Sequence, residues 1–104
     1  LPLRVRELLL LSDRLEYHLA DAAQALNLTP RTLIRRLDAD GTSFQGIKNG
    51  LRRDISIRDL SHGNKSIEAI SQDIGFASAA NFHRAFKRWT SVTPGAYRRR
   101  NSQT

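Results

Sequence analysis

The sequence predicts an all-α fold of seven helices and no sheet, and three observations carry that reading. Apolar residues recur three and four apart in segment after segment, the spacing of one helix face. Residues that start and stop helices stand at the ends of those segments. No stretch alternates apolar and polar residues over six positions, and the β-branched residues are scattered, so strand signals are absent.

Pro2 to Ser12 places Val5, Leu8, Leu9 and Leu11 on one face and predicts a first short helix. The second covers Leu19 to Leu26, with Leu19, Ala22, Ala23 and Leu26 inward and Asp21 in the first turn, where an acid suits the helix dipole. Asn27 follows, and Asn is the residue besides Gly that best tolerates a left-handed C-terminal turn. Thr29-Pro30 restarts a helix: Thr29 caps the free amides, and Pro30 at the first position has no amide to leave unpaired. This third helix runs to about Asp38 with Leu33 and Leu37 inward, and Gly41 ends it. Thr42-Ser43-Phe44-Gln45 reads as a capping box, with Thr42 at the cap and Gln45 three residues on. It opens a longer helix through Phe44, Ile47, Leu51, Ile55 and Leu60, despite the helix-weakening Gly46 and Gly50. His62-Gly63-Asn64 is a turn. Ser66 to Ile74 is the fifth helix, with Ile67, Ile70 and Ile74 inward and Gly75 at its end. Ser78 caps a sixth that holds Phe82, Phe86 and Trp89. Thr93-Pro94 caps a last short helix over Ala96 and Tyr97, after which the chain becomes Arg-rich and polar.

Two stretches repeat each other. Leu19, Ala22, Ala23, Leu26, Asn27 and Leu28 correspond to Ile67, Ile70, Ser71, Ile74, Gly75 and Phe76. One extra residue enters the second turn, after which Leu33 and Leu37 correspond to Phe82 and Phe86. A short helix, a tight turn and a capped second helix, with a small residue (Ala23, Ser71) where the pair crosses, is the helix-turn-helix pattern. One copy would fit many helical bundles. Two copies with a basic excess point to nucleic acid.

The faces opposite the buried positions supply the candidate contacts. In the first unit these are Arg31, Thr32, Ile34 and Arg35; in the second, Ala79, Ala80, His83 and Arg84. Arg35 and Arg84 are the foremost base readers, because a guanidinium donates two bonds to guanine O6 and N7. Thr32, Ile34 and the alanines suit thymine methyls, and His83 can donate to a base or a phosphate. Thr29, Arg36, Ser78, Asn81, Lys87, Arg88 and Arg98 are the candidate phosphate contacts. For Asn81 a local cap or backbone bond is the competing reading. A helix from Ser43 to Leu60 is about 27 Å long at the usual rise, against about 34 Å between successive major-groove segments. One linker helix therefore suits two readers in adjacent grooves, with DNA bending absorbing the shortfall.

Charge agrees with that partner without naming it. Seventeen Lys and Arg against ten Asp and Glu give +7. All ten acids lie at or before Asp73; beyond it Arg84, Lys87, Arg88, Arg98, Arg99 and Arg100 are the charged residues, every one positive. Such a stretch attracts phosphate on nucleic acid or on an anionic membrane, or is simply a solvated basic surface. There is no cysteine, so disulfides and thiolate metal ligands are excluded, and the composition fits a reducing cytosol. No apolar run approaches a membrane span, and Arg4, Arg6 and Glu7 interrupt any signal-peptide core. His18, His62 and His83 lie in separate segments without a metal-ligand partner, and no phosphate loop or nucleophile motif appears. No enzyme and no cofactor is predicted. A helical RNA-binding or protein-interaction module is the alternative, but Phe76, Phe82 and Phe86 stand at core spacing rather than as stacking platforms. The chain has no methionine, even at position 1, and reads as a piece of something longer.

On these residues the chain resembles the DNA-binding domain of the AraC/XylS family of bacterial transcription regulators. The resemblance covers about residues 17 to 99. It is sharpest at Ile67-Glu68-Ala69-Ile70, Gly75-Phe76-Ala77-Ser78, Asn81 through Trp89, and Thr93-Pro94-Gly95-Ala96-Tyr97-Arg98. The first unit matches through Leu28-Thr29-Pro30-Arg31-Thr32-Leu33 and Gly41-Thr42-Ser43-Phe44. The resemblance implies two homeodomain-like helix-turn-helix subdomains, residues 1–42 and 62–104, joined by a linker helix over 43–61. It implies that the third and sixth helices enter adjacent major-groove segments of double-stranded promoter DNA. It also implies a cytoplasmic, nucleoid-associated protein, with RNA polymerase as a further partner if it activates. The isolated domain is expected to be monomeric, and a sensing or dimerisation domain is expected before Leu1. Two departures stand out. Ser91 replaces the family's Gly, which predicts a differently shaped helix end, and Ala79-Ala80 replaces longer polar side chains, which shifts the second unit from base reading toward grip.

Overall fold

The computed structural model describes residues 1–12 and 15–102 of the chain. The last two positions of the expected basic tail, Gln103 and Thr104, lie outside the described residues. Among the described residues there are seven α-helices and no strand: α1 Pro2–Leu11, α2 Leu19–Ala25, α3 Pro30–Ala39, α4 Phe44–His62, α5 Ile67–Asp73, α6 Ala79–Thr90 and α7 Pro94–Ser102. They form two compact units, Leu1–Leu51 and Arg52–Thr104, the boundary falling inside α4.

The first unit buries Val5, Leu9, Leu15, Ala22, Ala23, Leu33, Leu37, Phe44 and Leu51. Leu11 does not join this core as expected; it is 85% exposed. Two residues beyond Leu9 is about 200° around a helix, so Leu9 inward forces Leu11 outward. α2 is only seven residues long, and its end is closed by a Schellman arrangement. Asn27 takes φ 58°, its N–H donates to the Gln24 carbonyl at 3.1 Å, and the Leu28 N–H donates to the Ala23 carbonyl at 2.8 Å. Ala23, 1% exposed, is small enough for that turn to fold back over it. α3 then starts as the sequence demands, with the Thr29 hydroxyl accepting from the Thr32 N–H at 3.1 Å and Pro30 first in the helix.

The start of α4 differs from the expected capping box. Ser43, not Thr42, is the cap: its hydroxyl accepts from the Gly46 N–H at 3.0 Å. Gln45 instead donates to Asn49 at 3.2 Å. Thr42 is already committed to closing α3, where Gly41 takes φ 78° and the Thr42 N–H donates to the Leu37 carbonyl at 3.0 Å. Ending one helix therefore displaces the cap of the next by a residue. Within this unit α4 also buries Lys48, whose ammonium reaches toward the Tyr17 carbonyl at 3.5 Å, while Ile47 is only half-buried.

The second unit repeats the plan on an aromatic core. The Ser66 hydroxyl caps α5 on the Ala69 N–H, and Gly75 at φ 84° ends it. The closing bonds again run from Gly75 N–H to Gln72 and from Phe76 N–H to Ser71, at 3.1 and 2.9 Å. Ser71 is buried, its hydroxyl satisfied by the Glu68 carbonyl at 2.8 Å. The Ser78 hydroxyl caps α6 on the Asn81 N–H at 3.1 Å. Phe82 and Phe86 are wholly buried, and Phe86 meets Tyr97 edge to face at 5.5 Å between centroids. Ser56, which the apolar spacing of α4 overlooked, is buried with its hydroxyl on the Arg53 carbonyl, and Ile55 is half-buried.

Ser91 adopts the left-handed conformation, φ 69°, that a glycine would take there, so the helix end keeps that shape despite the substitution. α7 is also longer than expected. It continues through Arg98, Arg99 and Arg100 to Ser102, so these arginines are helical rather than part of a polar tail. Arginine is a good helix former, and cations in a last turn suit the dipole. No helix among the described residues is long and apolar enough to cross a membrane.

Candidate nucleic-acid interface

Burial of Leu33 and Leu37 fixes which side of α3 faces solvent. Arg31, Ile34 and Arg35 are all exposed on it, Ile34 to 51%. Ile34 thus leaves a large apolar side chain in solvent at the middle of α3. Thr32 is half-buried at the flank, where its hydroxyl accepts from Thr29 at 2.9 Å, so these two side chains are engaged in capping. Arg36 is exposed on the other flank. Sequence reasoning missed Asp38, which is exposed and completes the spacing 31, 34, 35, 38 of a single helical stripe. That spacing was the signal available for it.

The same register holds in α6. With Phe82 and Phe86 buried as Leu33 and Leu37 are, the matching stripe is Ala80, His83, Arg84 and Lys87, all exposed. Arg35 and Arg84 thus occupy the same place on their helices. The stripes otherwise differ: Arg31 corresponds to Ala80, Ile34 to His83, and Asp38 to Lys87. Ala79, grouped with the base readers from sequence, is half-buried at the first helical position and off this stripe. Asn81 is half-buried and its side-chain oxygen accepts from the Arg84 guanidinium, so its partner is a side chain of the stripe rather than the backbone. Arg84, Lys87 and Arg88 line a shallow basin of about 320 Å³. Ser78 is exposed beside the start of the helix.

Two arginines are turned inward instead. Arg98 is half-buried, donating to the Leu60 and Asp59 carbonyls at 3.5 and 3.3 Å, and so caps the C-terminal end of α4. Arg52 donates to the Ile74 and Gly75 carbonyls. The aromatic rings pack on one another rather than standing free for stacking. Among the described residues no group of three His, Cys, Asp or Glu could hold a metal ion.

Two capped helix pairs, each presenting a solvent-facing stripe on its second helix, define a tandem helix-turn-helix protein. A family model described as a helix-turn-helix domain matches residues 22–100. The urease operon transcriptional activator of Escherichia coli is 37% identical over 89 residues, 86% of this chain and 30% of that protein. The transcriptional regulator CdpR from Pseudomonas aeruginosa superposes with a TM-score of 0.82 at 33% identity, over 91% of this chain and 30% of that one. A DNA-binding transcriptional dual regulator from Escherichia coli K-12 shares the fold with a TM-score of 0.93 at 23% identity, over 99% of this chain and 93% of that one. The chain belongs to the AraC/XylS family of helix-turn-helix transcription regulators. It spans under a third of the length of the urease activator and of CdpR.

Proposed function

We propose that this chain is the sequence-specific, double-stranded DNA-binding module of a bacterial transcription regulator, with α3 and α6 inserted in two major-groove segments of one promoter site. The observation that carries this reading is the repeated stripe: the same four positions, in the same register to the buried residues, are exposed on both second helices. Arg35 and Arg84 read guanine, Ile34 and Ala80 touch thymine methyls, and His83 donates to a base or phosphate. Asp38 can accept from a cytosine amino group, and its charge keeps that end of α3 off the phosphates. Arg36, Ser78, Lys87 and Arg88 hold the backbone, and Asn81 acts on Arg84.

The chain acts by binding rather than by catalysis and works in the cytoplasm at the nucleoid. In the whole regulator a further domain supplies sensing and any dimerisation, and RNA polymerase is the second partner where the protein activates. The test is a selection from a random duplex library followed by titration at rising salt. A recovered consensus bound at least about a thousandfold more tightly than random duplex, with a steep salt slope, supports the reading. Equal affinity for both duplexes contradicts it.

A further inference from the structure

Seven-residue α5 is too short to hold itself together, and its C-terminal end carries the turn that aims α6. The Schellman bonds occupy the Ser71 and Gln72 carbonyls. Past the last helical residue, Asp73, the Ile74 and Gly75 carbonyls lie beyond the helix's own ladder. Arg52, from α4, meets both: its Nε–H donates to Ile74 at 2.9 Å and its Nη2 donates to Gly75 at 3.3 Å. The guanidinium carbon lies 4.6 Å from the centre of the Phe76 ring, the first residue past the turn. Phe76 in turn packs 5.6 Å from Phe82, the buried anchor of the reader helix. The contacts therefore run unbroken from α4 through the turn to α6.

We propose that Arg52 is a positioning residue for the second reader, its planar fork setting the α5–α6 turn and hence the direction in which α6 presents His83, Arg84 and Lys87. The inference rests on the DNA-binding reading for its effect on affinity, though not for its effect on the turn. Arg52 contributes to DNA binding without touching DNA. Its Nε–H and one Nη2–H are held by carbonyls of its own unit rather than presented to phosphate. Its charged form is disfavoured by burial, as expected for a guanidinium taken partly out of water. Lysine is a poor substitute, since one ammonium cannot hold two neighbouring carbonyls and stack on a ring in the same plane.

Three measurements on the full chain test this. Without DNA, amide exchange at Gly75 and Phe76 rises at least about tenfold in Arg52→Met, while the matching amides Asn27 and Leu28 of the first unit are unchanged. On the duplex selected by the unaltered chain, Arg52→Met weakens binding about tenfold, yet the slope of affinity against salt is kept, because no phosphate contact is lost. On a duplex with the second unit's half scrambled, the difference between the two proteins disappears. Arg52→Lys, which retains charge and much of the stem, shows the same pattern in milder form and serves if Arg52→Met folds poorly. A slope reduced by about 0.9, the signature of one phosphate, overturns the proposal. So does unchanged exchange at Gly75 and Phe76. Failure of the unaltered chain to select any duplex counts against DNA reading itself, while the exchange result still decides the role of Arg52 in the turn.

Discussion

Arg35 and Arg84 hold equivalent positions on their helices, but their neighbours differ. Arg35 sits between Ile34 and Asp38, an apolar residue and an acid, so on the proposed reading its stripe favours particular bases over bare backbone. Arg35→Ala is therefore expected to cost about 1–3 kcal/mol on the selected site and little on random duplex. Competition binding with both duplexes reads this directly, and equal losses on the two would contradict it. Lys87 adds a point charge to a stripe with no acid, so Lys87→Ala should weaken all sequences alike and lower the salt slope by about 1. Arg98 is expected to behave unlike either. With its guanidinium on the Asp59 and Leu60 carbonyls, Arg98→Ala lowers the thermal midpoint and leaves the salt slope alone. This contrast also marks how far residue types could be read. Which positions face solvent follows from helical spacing, and Ile34, Arg35 and Arg84 were legible that way. Whether a guanidinium is spent on a distant carbonyl depends on tertiary reach, so nothing in the pattern separated Arg52 and Arg98 from the others.

Helix ends carry most of the local information in this protein, and they were the most legible part of it. Thr29 and Ser78 each cap the helix that sequence assigned to them, Ser66 caps the helix it was expected to begin, and Asn27, Gly41 and Gly75 each take positive φ where a helix stops. The misplacement came where two signals overlapped, at Gly41 to Ser43, because the residue that closes α3 cannot also open α4. Two glycine exchanges probe these elements in opposite directions. Ser91 stands in the left-handed region, so Ser91→Gly should add about 0.5–1 kcal/mol of stability. Gly50 lies within α4 with nothing within 4 Å of where a Cβ would stand, so Gly50→Ala should add about 0.5–1 kcal/mol as well. Denaturant midpoints measure both, and a loss of stability in either would show that the local backbone reading is mistaken. Truncating Leu33 or Phe82 to Ala should instead cost about 2–5 kcal/mol, since both are fully buried anchors of α3 and α6.

At the scale of the whole chain, the net charge of +7 is less informative than where the free cations stand. Arg52 and Arg98 serve the second unit's own carbonyls, while Arg31 and Arg35 on α3 and Arg84, Lys87 and Arg88 on α6 are exposed. The fold class and the repeat were readable because both units obey one spacing rule. The two units' unequal stripes were readable only in part, because Asp38 lies one turn past the last position that the buried leucines singled out. The proposed function requires that two separate helices each read bases. Interference mapping with 7-deazaguanine, which removes the N7 acceptor one guanine at a time, tests it on the selected duplex with the unaltered chain, Arg35→Ala and Arg84→Ala. Two separate groups of sensitive guanines are expected, one lost with each substitution. A single group abolished by both substitutions, or sensitivity unaffected by either, would contradict it.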